Sequence, residues 1–307
     1  MSSILPEPGE TAAELEWLRM FAGAALERLE RARGRIDALD VYPIPDGDTG
    51  TNMALTVKAL VEDLDALDSL TCKLPRREAA RALVMGARGT SGVILSQLVR
   101  AVLEAAPAGL EIDAKALATM LERANSSARA AVNKPLEGTM LSLASELAEQ
   151  ARAGAKAKQP LAALLPALVE CAERALARTP EQLSVLREAC VVDAGATGLL
   201  ECLRAVAGVI AAEPLPGRPE LQLVPEAGES RAGSPGYLYS ASFTISGKGL
   251  DAALIRAQLA GVGELLFFGA ASRAIKVQLN TNDPGTALEV ACTAGTLDAV
   301  EITRQRL

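Results

Sequence analysis

Asp40, Asp46 and Asp48 crowd one short stretch of the chain, Leu39-Asp40-Val41-Tyr42-Pro43-Ile44-Pro45-Asp46-Gly47-Asp48-Thr49-Gly50-Thr51-Asn52-Met53. Two prolines stiffen the approach, and Gly47 between two aspartates lets both carboxylates turn to one side. Asp40 can reach in from the end of the preceding helix. A cluster of hard oxygen ligands without histidine suits magnesium, which is held by a few carboxylates together with substrate phosphates and water. Thr49, Gly50, Thr51 and Asn52 then open a helix, whose free N–H groups favour an anion. An EF-hand is excluded, because the position that needs a glutamate carries alanine or methionine. The plain alternative is a solvated turn, since Asp and Gly are ordinary turn residues.

One further segment fits anion binding, and two more read as ordinary helix starts. Gly86-Ala87-Arg88-Gly89-Thr90-Ser91-Gly92 interrupts a long apolar helix. Its glycines would let the backbone approach a phosphate, and Arg88 would add positive charge. Close helix packing through small residues is the competing reading. Lys134-Pro135 is read as a helix start that puts Thr139 and Met140 on the first turns, and Asp193-Ala194-Gly195 as another start with Asp193 as its cap.

The whole chain bounds this chemistry. It has 307 residues, enough for about two domains. Half are apolar, rich in alanine and leucine and only 3% aromatic, which favours helix. There is no histidine, so imidazole acid–base catalysis, histidine metal sites and phosphohistidine are excluded. Cys72, Cys171, Cys190, Cys202 and Cys292 are scattered and show no paired spacing, so reduced thiols are expected. The net charge of −7, without a basic block, argues against nucleic acid. No signal peptide or membrane span is read, and the cytoplasm is the expected compartment.

Helical spacing, started by a capping box at Thr11-Ala12-Ala13-Glu14, predicts a first helix to about Ala38. Further helices are expected over roughly 51–66, 75–106, 114–132, 136–154, 160–177, 180–189 and 195–212, with Thr179 capping the one at Pro180. Residues 213–235, rich in Pro, Gly and Glu, read as a linker. From 236 to 307 the order becomes βαββαβ, the ferredoxin-like plan. The expected class is therefore α+β, mainly α: a helical bundle over 1–212, the linker, and a small ferredoxin-like domain over 236–307. Within its sheet, Leu265-Leu266-Phe267-Phe268 puts apolar side chains on both faces. The face without helices is expected to meet a second copy or a partner protein, with packing onto the chain's own helices as the alternative.

Pro45-Asp46-Gly47-Asp48-Thr49-Gly50-Thr51-Asn52-Met53, preceded by Leu39-Asp40-Val41-Tyr42-Pro43, resembles the dihydroxyacetone-kinase L-domain (DhaL) family, most of all its FakA-like fatty acid kinase branch. The segments at Gly86–Gln97, Lys134–Leu141 and Val192–Gly195 match in the same order. The resemblance implies an antiparallel helical barrel binding ATP at one end. It implies two magnesium ions on Asp40, Asp46 and Asp48, with Asp46 and Asp48 catalytic. It brings Thr49, Gly50, Thr51, Asn52, Arg88, Gly89, Ser91, Gly92, Gly138, Thr139, Met140, Asp193 and Gly195 to the nucleotide. It implies a substrate held by a separate protein: a FakB-like lipid-binding protein presenting a fatty acid, or a DhaK-like subunit presenting dihydroxyacetone. A nucleotide-binding scaffold without turnover is the third possibility. A carboxylate acceptor is already ionised near neutral pH and needs no general base, which suits a chain without histidine. The FakA-like branch typically has cysteine where this chain has Leu238, and histidines where it has Gln278 and Asn280, so no metal site is expected there. FakA-like chains also continue into another large domain beyond the position of Leu307.

Overall fold

The computed structural model describes residues 8–42, 45–68, 74–107, 112–211, 236–271 and 274–304; the expected linker over 213–235 and Cys72 lie outside these. The helical region comprises α1 (Pro8–Asp37), α2 (Thr49–Ala66), α3 (Pro75–Gly86), α4 (Gly89–Ala105), α5 (Ala114–Ala131), α6 (Met140–Lys156), α7 (Leu161–Ala177), the short α8 (Thr179–Gln182) and α9 (Ser184–Ala189), and α10 (Ala194–Ile210). Neighbours run α1–α2–α4–α5–α6–α7–α10 and back to α1, so the expected helical barrel closes on itself, with α3 packed outside against α2 and α4. Leu29, Ile36, Met53, Val57, Leu95, Leu98, Ala128, Leu141 and Ala144 fill its interior. Alanine at so many inward positions allows close helix approach, and the scarcity of aromatics follows from that.

Polar clamps join the ring. Glu201 of α10 is buried and accepts from Arg28 at 3.1 Å and Arg35 at 3.0 Å on α1, and from Arg204 at 2.8 Å. Arg19 donates to the carbonyls of Leu64 and Leu67, satisfying the C-terminal end of α2.

Several helix boundaries differ from the sequence reading. The first helix begins at Pro8, so Thr11 and Glu14 lie inside it and form no capping box; Glu14 is buried and pairs with Arg76. The stretch over 75–106 divides at Ala87–Arg88 into α3 and α4. Lys134-Pro135 does not start a helix: α6 begins at Met140, capped by Thr139 Oγ1. The expected helix over 180–189 is two short ones. Thr179 does not cap but accepts from the Asp193 amide and donates to the Leu176 carbonyl.

The remaining elements are β1 (Tyr239–Ser246), α11 (Ala252–Ala260), β2 (Gly263–Ala271), β3 (Ala274–Thr281), α12 (Pro284–Ala294) and β4 (Thr296–Arg304). The sheet order is β2-β3-β1-β4, every pair antiparallel, as the ferredoxin-like plan requires. Phe243, Ile245, Leu265, Phe268, Ile275, Val277 and Leu279 form one face against Ile255, Leu259, Ala287 and Ala291 of α11 and α12. A register shift between Leu265 and Phe267 sends Phe267 to the opposite face.

That opposite face is not left for a second copy or another protein along β2 and β3, because the chain's own helices α3, α4 and α5 cover it. Phe267 is fully buried among Ala87, Val93 and Ala131. Thr90 donates to Gln278 Oε1 at 2.8 Å, Lys134 pairs with Glu264 at 2.9 Å, and Arg88 faces Glu301 at 3.9 Å. Strand β4 is exposed along nearly all its length, Val300 and Ile302 included. Among the described residues no helix is long and apolar enough to cross a membrane.

Phe267→Ala should destabilise the protein by about 3–5 kcal/mol, the usual cost of emptying a filled aromatic site. Urea unfolding would measure it; a loss below about 1 kcal/mol would show that the seam between helices and sheet is loosely packed.

Candidate functional site

The aspartate loop leaves α1 and enters α2, and both helices shape it. Asp37, at the end of α1, accepts from the Thr51 amide at 2.9 Å and the Thr51 hydroxyl at 2.8 Å. Gly50 lies so close to α1 that a β-carbon there would sit 2.6 Å from the Arg33 carbonyl oxygen. Asp40 is buried, and its Oδ2 accepts from the amides of Asp48 at 3.2 Å and Thr49 at 3.0 Å. Asp48 occupies the capping position of α2 without capping it; its Oδ1 accepts instead from Asn52 Nδ2 at 2.7 Å. First-turn amides that the sequence suggested for an external anion are therefore taken by the protein's own carboxylates.

This wiring brings Asp40, Asp46 and Asp48 together, each offering one oxygen within 4.8 Å of the others. Among the described residues it is the one such group of three or more potential metal ligands. Burial together with the charges of Asp48 and Asp40 pushes Asp46 up from its ordinary 3.8 to about 8. Burial also raises Asp40 and Asp48, against the hydrogen bonds that pull each down. Half-buried carboxylates this close favour a cation that neutralises them. The oxygen-only donor set and short spacing fit magnesium better than a softer metal.

Beside the loop lies a cleft of about 330 Å³. Its walls come from the N-terminal ends of three helices: Thr90 and Ser91 of α4, Thr139 and Met140 of α6, and Asp193 and Gly195 of α10. Tyr42, Ile94, Val132, Leu136, Leu265 and Leu266 add an apolar lining, with Lys134 and Glu264 at the rim. Ser91 Oγ lies 3.3 Å from Thr49 Oγ1, which joins the cleft to the aspartate loop. Two of the three helix starts are capped from within. Asp193 accepts from the Ala196 amide at 2.7 Å, and Thr139 accepts from the Leu141 amide at 3.3 Å. Arg88, before α4, makes no side-chain cap at that helix start. Complete burial lifts Asp193 to about 7.

The predicted residues thus fall into two groups. Asp40, Asp46, Asp48 and Thr49 meet at the loop and Ser91, Thr139, Met140, Asp193 and Gly195 line the cleft, whereas Arg88 is not among the lining residues and faces Glu301 of β4. Gly92 and Gly138 serve packing: a β-carbon on Gly92 would meet Thr56 Oγ1 at 2.1 Å, and one on Gly138 the Leu183 β-carbon at 2.8 Å. Gly50, Thr51 and Asn52 hold the loop in shape, and Gly89 lies against Asn52. The sequence reading missed Asp37, Tyr42 and Thr90 as site residues. It also missed the contribution of β2, which nothing local in the motif announces.

Comparison with known proteins places this geometry. Residues 43–208, more than half the chain, match the DAK2 domain. Protein YloV of Bacillus subtilis (strain 168) is 32% identical over 99% of this chain and 56% of its own length. An uncharacterised protein of Staphylococcus haemolyticus (strain JCSC1435) is 41% identical over 54% of this chain and 30% of its own. The chain therefore spans little more than half, or less, of these curated relatives. Among solved structures, dihydroxyacetone kinase from C. freundii in complex with AMP-PNP and Mg2+ matches 63% of this chain and 34% of that one, at 20% identity and a TM-score of 0.45. By the extent of the domain match, the chain belongs to the DAK2 domain family.

Proposed function

We propose that this protein is a magnesium-dependent kinase that transfers the terminal phosphoryl group of ATP to a fatty acid carboxylate held by a separate lipid-binding protein. The observation that carries the reading is the meeting of three carboxylate oxygens within 4.8 Å at the mouth of a cleft lined by three helix N-termini. In this reading residues 1–212 form the nucleotide domain. Residues 236–307 form a second domain that walls the cleft, and 213–235 join the two.

Asp40, Asp46 and Asp48 would hold magnesium, which when bound draws charge from the phosphate oxygens. Thr49 and Ser91 would orient phosphate oxygens, and the uncapped first turn of α4 would donate to them. Tyr42, Ile94, Met140 and Leu265 suit the flat face of a base. Asp193 holds the start of α10 in place rather than moving a proton. Phosphoryl transfer rests chiefly on positioning and charge neutralisation, which such a site supplies. The acceptor follows from chemistry: with no histidine in the chain, an ionised carboxylate is better matched than an alcohol that must lose a proton.

Calorimetry on the full chain should show ATP binding that requires magnesium. No binding under either condition would overturn the kinase reading. Asp48→Ala should abolish that binding and any transfer to a fatty-acid-loaded partner, while changing metal-free stability by no more than about 1 kcal/mol. Asp48 is half-buried rather than fully exposed, but the variant also relieves repulsion from Asp46.

The acid cluster further predicts a pH signature. Asp46 binds its proton up to about 8 when folded but only to 3.8 in an unpaired state. Between these values the native state holds more protons than the unfolded one, so metal-free stability should fall as pH rises through that window. Asp193, raised to about 7, adds a slope of the same sign. Thermal melts in a chelator should show this decline. Magnesium should restore more stability at the alkaline end than at the acidic end, and a melting temperature flat in pH would contradict the arrangement.

A further inference from the structure

The sheet face turned toward the helices is polar. Thr244, Lys276, Gln278 and Asn280 lie on it, opposite the apolar face formed by Ile245, Ile275, Val277 and Leu279. Lys276 stands out among them. It is 3% exposed, yet its ammonium has neither a hydrogen-bond acceptor nor a carboxylate within ion-pair distance among the described residues. Its charged surroundings are Arg88, which opposes its charge, and Glu301, which favours it. Arg88 itself lies 3.9 Å from Glu301. Two cations therefore share one carboxylate, and that carboxylate is largely exposed on β4.

A partly desolvated ammonium on a buried side chain, with a second cation beside it and no ion pair among the described residues, favours an arriving anion. The place where this pair stands indicates which anion. Arg88 immediately precedes the uncapped first turn of α4, and Ser91 of that turn reaches Thr49, next to Asp48. Glu301 acts electrostatically on Asp48 as well as on Lys276. Thr90 and Gln278, joined by a hydrogen bond, fix α4 against β3 only two residues from Lys276. Glu301 thus links both cations to Asp48, and Thr90 and Ser91 link their neighbourhood to the cleft and the aspartate loop.

We propose that Lys276, carried by β3 across the seam, is the cation that meets the terminal phosphate of a bound nucleoside triphosphate, with Arg88 beside it. The proposal rests on the kinase reading above. It makes the phosphate site a joint product of the helical and sheet regions, with acids and magnesium on one side and two cations on the other. Glu301 then serves as a placeholder that balances Arg88 until the phosphate enters.

The test compares two probes on the full chain by calorimetry: Mg–ADP, which lacks the terminal phosphate, and Mg–AMP-PNP, a triphosphate analogue that is not turned over. Lys276→Met keeps the length and apolar stem of the side chain and removes a partly desolvated charge that has no ion pair among the described residues, a change that tends not to destabilise. It should weaken AMP-PNP binding by about tenfold or more, the scale of one charge-assisted hydrogen bond, and leave ADP within about twofold. Glu301→Gln, on the exposed strand, should act oppositely and tighten AMP-PNP alone. Equal losses for both nucleotides in Lys276→Met, or no loss for either, would overturn the proposal while leaving the kinase reading intact. A parent chain that binds neither nucleotide would overturn both. Should Lys276→Met fail to fold, Glu301→Gln decides: selective tightening of AMP-PNP supports the proposal, and unchanged binding of both probes overturns it.

Discussion

Three carboxyl groups held within 4.8 Å of one another, with no Lys or Arg among the described residues paired to them, set the terms for the rest of the structure. At an effective dielectric constant near 20, each such pair repels by at least about 3 kcal/mol when fully charged. The proton that Asp46 keeps up to about 8 relieves part of this repulsion, and bonds from outside the cluster hold the rest. Asp37 ties Thr51 to the end of α1, two amides at the start of α2 grip Asp40, and Asn52 grips Asp48. Gly50 permits the close contact of α2 with α1 that these bonds require. The repulsion is thus kept as a standing affinity for a cation instead of being relaxed by loop movement.

The second constraint is where positive charge and apolar surface come from. The aspartate loop supplies no positive charge and, of the apolar lining, only Tyr42; the cleft beside it borrows the rest from elements far away in the chain. Helices α4, α6 and α10 bring their N-terminal ends together because the ring of helices closes. The sheet brings Leu265 and Leu266 into the wall and Lys276 into the seam. A ferredoxin-like sheet normally leaves one face without helices. Here that face carries Thr244, Lys276, Gln278 and Asn280, and Phe267 on it packs where α3, α4 and α5 meet the sheet. The distribution makes sense if the sheet is a wall of the site and not an appended module.

Much of this was legible in the residue order. The Asp-Gly-Asp loop, the run of helices, the βαββαβ order and the cap at Asp193 each rest on a pattern of local chemistry that tertiary contacts did not reverse. Where the reading failed, a distant partner had decided the outcome. Thr11 looked like a cap because Glu14 follows at the right spacing, but Glu14 is drawn to Arg76 in α3. Lys134-Pro135 looked like a helix start, yet Lys134 pairs with Glu264 and Val132 bridges to Phe267, which holds that stretch extended until Thr139. The open sheet face looked like an interface because the run from Leu265 to Phe268 cannot say which of its neighbours will be its own chain. Asp37 escaped notice because an aspartate at a helix C-terminus has no local signature; its role exists only once Thr51 is beside it.

The ring of helices is joined by its ends. Arg28 and Arg35 near the start of the chain meet Glu201 near the end of the helical region, across separations of 173 and 166 residues. Contacts this distant in sequence raise contact order and slow the search for the native state, because the chain must close a long loop before they form. On a ribosome, α1 through α9 can emerge and become helical, but the buried carboxylate that locks the ring is delivered by α10, the last helix of that region. Until α10 is out, Arg28 and Arg35 have no Glu201 to meet and the apolar interior stays open along one side. The helical region should therefore be at its most vulnerable to proteolysis and to chaperone capture during the interval just before its final helix is synthesised.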